Sequence, residues 1–121
     1  MANTFKCVTF AAEPNSAGTP YTMYTVAGST TTVVLGLILT NIHTTAVTVE
    51  VELESDTGSR GGANNVANGT SFLVKDVTIP AGSSLELLSG GKVVMETTDV
   101  LKIDCSVADK VSGTLSIMEI T

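Results

Sequence analysis

The segment from Ala46 to Glu54 limits the fold of this chain more than any other stretch. Val47, Val49, Val51 and Leu53 alternate there with Thr48, Glu50, Glu52 and Glu54. Successive side chains of a β-strand point to opposite faces, so this pattern yields one dry face and one wet face. The valines also fix the register, because a slip of one residue would bury the glutamates. Such a strand needs a second layer to cover its dry side.

Period-2 alternation elsewhere predicts an all-β chain of about eight strands. The segments read as strands are Thr4–Phe10, Tyr21–Val26, Thr31–Asn41, Ala46–Glu54, Phe72–Ile79, Ser84–Leu88, Lys92–Met95, Val100–Ser106 and Gly113–Ile120. In Thr31–Asn41, Val33, Leu35, Leu37 and Leu39 fall on one face, and Val34, Gly36, Ile38 and Thr40 on the other. Both faces are largely apolar, which predicts a central strand. His43-Thr44-Thr45 reads as a turn joining Thr31 to Glu54 in one hairpin, and Ser89-Gly90-Gly91 as the turn of another. The long Gly- and Asn-rich stretch from Ser55 to Thr70 offers little to bury and is expected to be an exposed loop. Its polar residues Ser55, Asp56, Arg60, Asn64, Asn65 and Asn68 are the candidates for an interaction site. No segment carries a helical pattern of normal length. The expected architecture is one domain over 1–121, an antiparallel β-sandwich or small jelly-roll, with a closed barrel as second choice.

Composition narrows the function. Aromatic residues make up only 4% and Trp is absent, so the core is aliphatic and stacking on sugar rings has little support. The formal net charge is -6, and the six Lys and Arg residues are scattered, which argues against nucleic acid as a partner. No basic start followed by an apolar run marks a secretory leader, so synthesis in a cytoplasm is expected. The longest apolar run, Val33 to Leu39, falls short of the roughly 20 residues that span a bilayer. Cys7 and Cys105 sit in predicted strands and are expected to be reduced, buried thiols, with pairing open if their strands are neighbours.

Candidate chemistry is sparse. His43 is the only histidine and falls in a predicted turn, without a second metal ligand nearby. Glu50, Glu52 and Glu54 share a strand face, and regular alternation accounts for them better than paired-carboxylate catalysis or calcium binding. Ser55 and Ser59 near Asp56 and Arg60 lack a base and a nucleophile elbow. Neither catalytic residues, cofactor nor metal are expected, which directs attention to sheet edges, above all the first and last strands.

Several phrases of the chain carry a resemblance. Met1-Ala-Asn-Thr-Phe-Lys, the run from Tyr21 to Leu37, Phe72-Leu-Val-Lys-Asp-Val-Thr-Ile-Pro-Ala-Gly, Gly90-Gly-Lys-Val-Val-Met-Glu and the closing Leu115-Ser-Ile-Met-Glu-Ile-Thr resemble small virion structural proteins of tailed bacteriophages. The resemblance implies a single β-sandwich attached to a capsid or tail, with no catalytic residues. The expectation is a capsid decoration, or cement, protein located in the virion. Its partners would be the major capsid protein or other virion proteins, and it would form a homo-oligomer, a trimer being favoured. A tail, baseplate or fibre-attachment subunit is the alternative within that class, and a host-surface or carbohydrate-binding module the alternative outside it.

Overall fold

The valine face predicted for Ala46–Glu54 is buried: Val47, Val49 and Val51 are all but inaccessible, while Glu50, Glu52 and Glu54 remain partly exposed. What covers this face is a second sheet. The structure, a computed structural model, describes residues 2–55, 69–88 and 90–121. Its strands are β1 (Asn3–Glu13), β2 (Tyr21–Thr25), β3 (Thr31–Asn41), β4 (Val47–Ser55), β5 (Gly69–Ile79), β6 (Ser84–Leu87), β7 (Val93–Met95), β8 (Val100–Cys105) and β9 (Val111–Ile120). No helix occurs among the described residues.

Two antiparallel sheets form a sandwich. The front sheet runs β1-β9-β3-β6, with β7 also on β3, and the back sheet runs β2-β8-β4-β5. Between them lies an aliphatic core that includes Leu37, Leu39, Met95, Leu101, Ile103, Leu115 and Ile117, all fully buried. Strand β3 is central as expected, with β9 on one side and β6 and β7 end to end on the other.

Three expectations are corrected. Thr31 to Glu54 is not a hairpin, because β3 belongs to the front sheet and β4 to the back one; residues 42–46 cross between layers. The hairpin expected at Ser89-Gly90-Gly91 is not formed either, since β6 and β7 both pair with β3 and not with each other; Ser89 itself lies outside the described residues. Third, Val33, Leu35, Leu37 and Leu39 do not share a face. Val34 pairs with Ile117 and Gly36 with Ser116, leaving Leu35 as an extra residue in a β-bulge. The bulge shifts the phase, so Thr32 and Val34 before it and Leu37, Leu39 and Asn41 after it all point inward.

The crossing at 42–46 is held by Asn41, which is fully buried. Its Nδ2 donates to the carbonyls of Thr45 and Ile79, each at 2.9 Å, and its Oδ1 accepts the backbone N–H of His43 at 2.7 Å. Its own backbone N–H donates to the Ser83 carbonyl at 2.9 Å. One side chain thus ties the crossing to the end of β5, while its backbone holds the turn before β6. At the opposite end of β3, Tyr24 of β2 reaches across the layers to Thr32 and Glu119. Ala2 and Thr121 exchange both backbone hydrogen bonds, at 3.0 and 2.9 Å, extending the β1–β9 ladder to its end.

Two stability predictions follow from these contacts. Asn41→Ala strips the amide from three buried or half-buried partners and should cost about 2–4 kcal/mol in chemical denaturation; a loss below about 0.5 kcal/mol would contradict the assignment. Gly113 lies under the Phe10 ring, where an added Cβ would overlap ring carbons. Gly113→Ala should therefore destabilise by about 1–3 kcal/mol, and Phe10→Leu in the same chain should recover part of that loss.

Candidate interaction surface

The two outer faces of the sandwich differ in chemistry. Side chains that point outward from the front sheet fall into rows across its strands. Phe5 of β1 lies opposite Met118 of β9, Met118 opposite Val33 of β3, and Val33 opposite Val94 of β7. This apolar row is open to solvent at both ends, with Phe5 71% and Val94 60% exposed. A second row holds Cys7, Ser116 and Gly36, and a third Thr9, Thr114, Ile38 and Glu86. Glu86 is the only charge in these three rows. Beside it, where β6 gives way to β7, a depression of about 360 Å³ is lined by residues including Leu35, Gly36, Leu88 and Lys92.

The back sheet carries charge instead. Glu50 lies opposite Asp104 and Glu52 opposite Lys102. Lys75 bridges to Glu50 at 3.0 Å and sits 4.5 Å from the centre of the Phe72 ring, and Lys102 pairs with Glu54. A smaller depression there includes Glu50, Asp76 and Asp104. Asp104 Oδ1 already accepts the N–H groups of Gly18 and Cys105. Among the described residues no group of three or more His, Cys, Asp or Glu side chains is placed to hold a metal ion.

Beneath the Phe5 end of the apolar row lies a polar clamp between the layers. Tyr24 donates its hydroxyl to Glu119, whose other carboxylate oxygen is 2.7 Å from Lys6 Nζ. Burial, followed by the hydrogen bond to Glu119, pushes the Tyr24 phenol up to about 12. Lys6 first, then Tyr24, hold the Glu119 carboxyl below the usual range. The one lysine in the exposed half of β1 is thereby neutralised within its own chain.

Of the residues singled out in the sequence, Ser55 ends β4 and donates its hydroxyl to Asp99 at 3.0 Å. Asp56, Arg60, Asn64, Asn65 and Asn68 lie outside the described residues. Both ends of the loop expected from Ser55 to Thr70 are strand, since Ser55 pairs with Gly69 and Glu54 with Thr70, and residues 56–68 lie outside the described residues. His43 sits in the crossing after β3, as expected for a turn residue. Cys105 is buried, but Cys7 is exposed, contrary to the expectation of two buried thiols. Strand β1 presents Cys7 outward, and β8 lies in the other sheet, so the two cysteines are not on neighbouring strands. The apolar row was not foreseen. Its sequence signal is the absence of charge from either face of Thr31–Asn41 and from alternate positions of the final strand.

No family model and no curated protein matches this chain. Solved structures do. A chain in the structure of infectious bursal disease virus, Gx strain, is 15% identical over 96% of this chain and 32% of its own length, with a TM-score of 0.52. One in the T13 IBDV viral particle is 11% identical over 97% of this chain and 30% of its own, with a TM-score of 0.55. A subunit of the Bacillus endospore appendages, described as disulfide-linked pili, is 16% identical over 99% of this chain and 87% of its own, with a TM-score of 0.47. This chain spans about a third of the viral chains. At such identities the viral likeness establishes a shared β-sandwich fold.

The clamp predicts the response of stability to pH. The unfolded chain releases the Tyr24 proton near 10 and the folded one only at about 12. The contribution of the neutral phenol is complete below the lower value and is lost as pH rises through the higher one. Glu119 acts in the opposite sense, stabilising above the ordinary carboxylate range and failing as pH falls through its depressed value. Tyr24→Phe should flatten the alkaline limb of a Tm–pH curve and Glu119→Gln the acid limb; unchanged slopes would refute the clamp.

Proposed function

We propose that this chain is a virion structural protein, a capsid decoration or cement protein of a tailed phage that attaches to the outside of the shell. The observation that carries this reading is the charge-poor outer face of the front sheet, with the apolar row Phe5, Met118, Val33 and Val94 across four strands. A chain of net charge -6 that concentrates its strand charges on the back sheet has an electrostatic reason to meet other proteins with its front. Flat apolar rows rimmed by Ser and Thr desolvate cheaply and suit a protein surface. The resemblance of the sequence to phage virion proteins and the sandwich shared with chains of a virus particle support the same reading. Attachment needs little energy per copy, because many copies act together on one shell and a standard interface of about 800 Å² per partner is ample.

The mechanism is bridging. A subunit seated across a junction between capsomers must be peeled off before the junction opens, so bound copies oppose expansion of the shell. No catalytic group takes part. The test uses shells purified without the protein: wild type should bind saturably at a fixed stoichiometry. Val94→Asp should weaken binding by at least about tenfold, as expected for placing a charge inside an apolar contact. Glu52→Gln on the back sheet should bind normally. Shells that ignore the wild-type protein would overturn the reading, and recovery of the protein in isolated tails but not heads would move it to the tail.

A further inference from the structure

The four sheet edges are guarded unequally. In the back sheet, β2 is five residues long with a bulge at Met23. Strand β5, the other edge, has irregular register around Lys75–Asp76 and again around Leu73, and Asp76 adopts a φ of 53°. In the front sheet, β6 has four residues and β7 three, interrupted by Leu88 at a φ of 67°. Short strands, bulges and charges are the means by which proteins prevent edge-to-edge pairing. Strand β1 has none of them over Asn3–Phe10, where the register with β9 is unbroken and the one charge, Lys6, is held by Glu119 at 2.7 Å.

The backbone shows which groups that edge offers. Ala2 and Thr121 exchange both hydrogen bonds, so the two-residue period turns the N–H and C=O of Thr4, Lys6, Val8 and Phe10 toward β9. Those of Asn3, Phe5, Cys7 and Thr9 point the other way, to the open side. Among the described residues no hydrogen bond reaches these four backbones.

We propose that β1 joins two copies of this chain, antiparallel about a two-fold axis, into a continuous sheet. The occupant is a second copy because, among the described residues, β1 alone offers an open edge. A heterologous ring would need a second unguarded edge on each chain, whereas an isologous pair needs only β1 twice. The chain's net charge of -6 makes copies repel, and β1 is where they meet without opposed carboxylates. The axis avoids Lys6, where two ammonium groups would face each other. This symmetry differs from the trimer expected from the sequence. It also sets both front faces on the same side, doubling the apolar row without altering it. Such an edge buries less than the roughly 800 Å² per partner of a standard interface, so the dimer dissociates on dilution.

Sedimentation equilibrium of the full chain tests this without any shell. Thr9→Pro deletes an N–H that points away from β9, leaving the β1–β9 ladder complete. Wild type should show a monomer–dimer equilibrium, and Thr9→Pro should weaken it by about tenfold, two edge bonds being lost per dimer, with Tm nearly unchanged. If Thr9→Pro lowers Tm, Cys7→Lys gives the same reading by opposing like charges at the edge while keeping every backbone donor. Val94→Asp should dimerise as wild type does, which separates this pairing from shell attachment. A wild-type chain that stays monomeric at high concentration, a trimer, or a Cys7→Lys chain that dimerises like wild type would overturn the proposal.

Discussion

The extra residue at Leu35 is the constraint on which this sandwich depends. Strand β3 must keep one face on the core along its whole length, yet its own inward residues change from even to odd positions while those of β9 alternate in a single phase. Inserting one residue lets Val34 and Leu37 both point inward. The same irregularity falls where β6 ends and β7 has yet to begin, so the edge beyond β3 is divided into two short strands. The divided edge resists pairing, and the depression beside it opens on the outer face. Core packing and edge protection at this side of the front sheet thus come from one local feature.

Asn41 has a comparable role at the end of β3. A chain that leaves one sheet and enters the other passes over the rim of the core, where peptide groups lose water without gaining a ladder. The buried amide supplies two donors and one acceptor to that passage. Asn is suited to it because a carboxylate would bring charge and no donors, and an aliphatic side chain would leave the Ile79 carbonyl unanswered.

Much of the fold was legible in the sequence, and the reasons for the exceptions are physical. Val47–Leu53 announces its own phase because its faces differ in polarity. Val33–Leu39 does not, since a strand apolar on both sides reads the same before and after a bulge. The five residues between β3 and β4 fit a hairpin and a crossing equally well in length, and only the buried Asn41 distinguishes them. Cys7 differs for another reason. Apolar residues occur on both faces of β1, so alternation alone does not assign Cys7 and Phe5 to the outward face. Local rules fail most informatively where a surface is built for something other than water.

The pairing of Ala2 with Thr121 has a mechanical consequence. The start of β1 and the end of β9 lie side by side, so tension applied between them opens the ladder one bond at a time, like a zipper. Tension applied across the faces must instead shear whole rows of side chains at once. A load carried through the front face meets the stiff direction of this fold, and a load carried through its two ends meets the soft one.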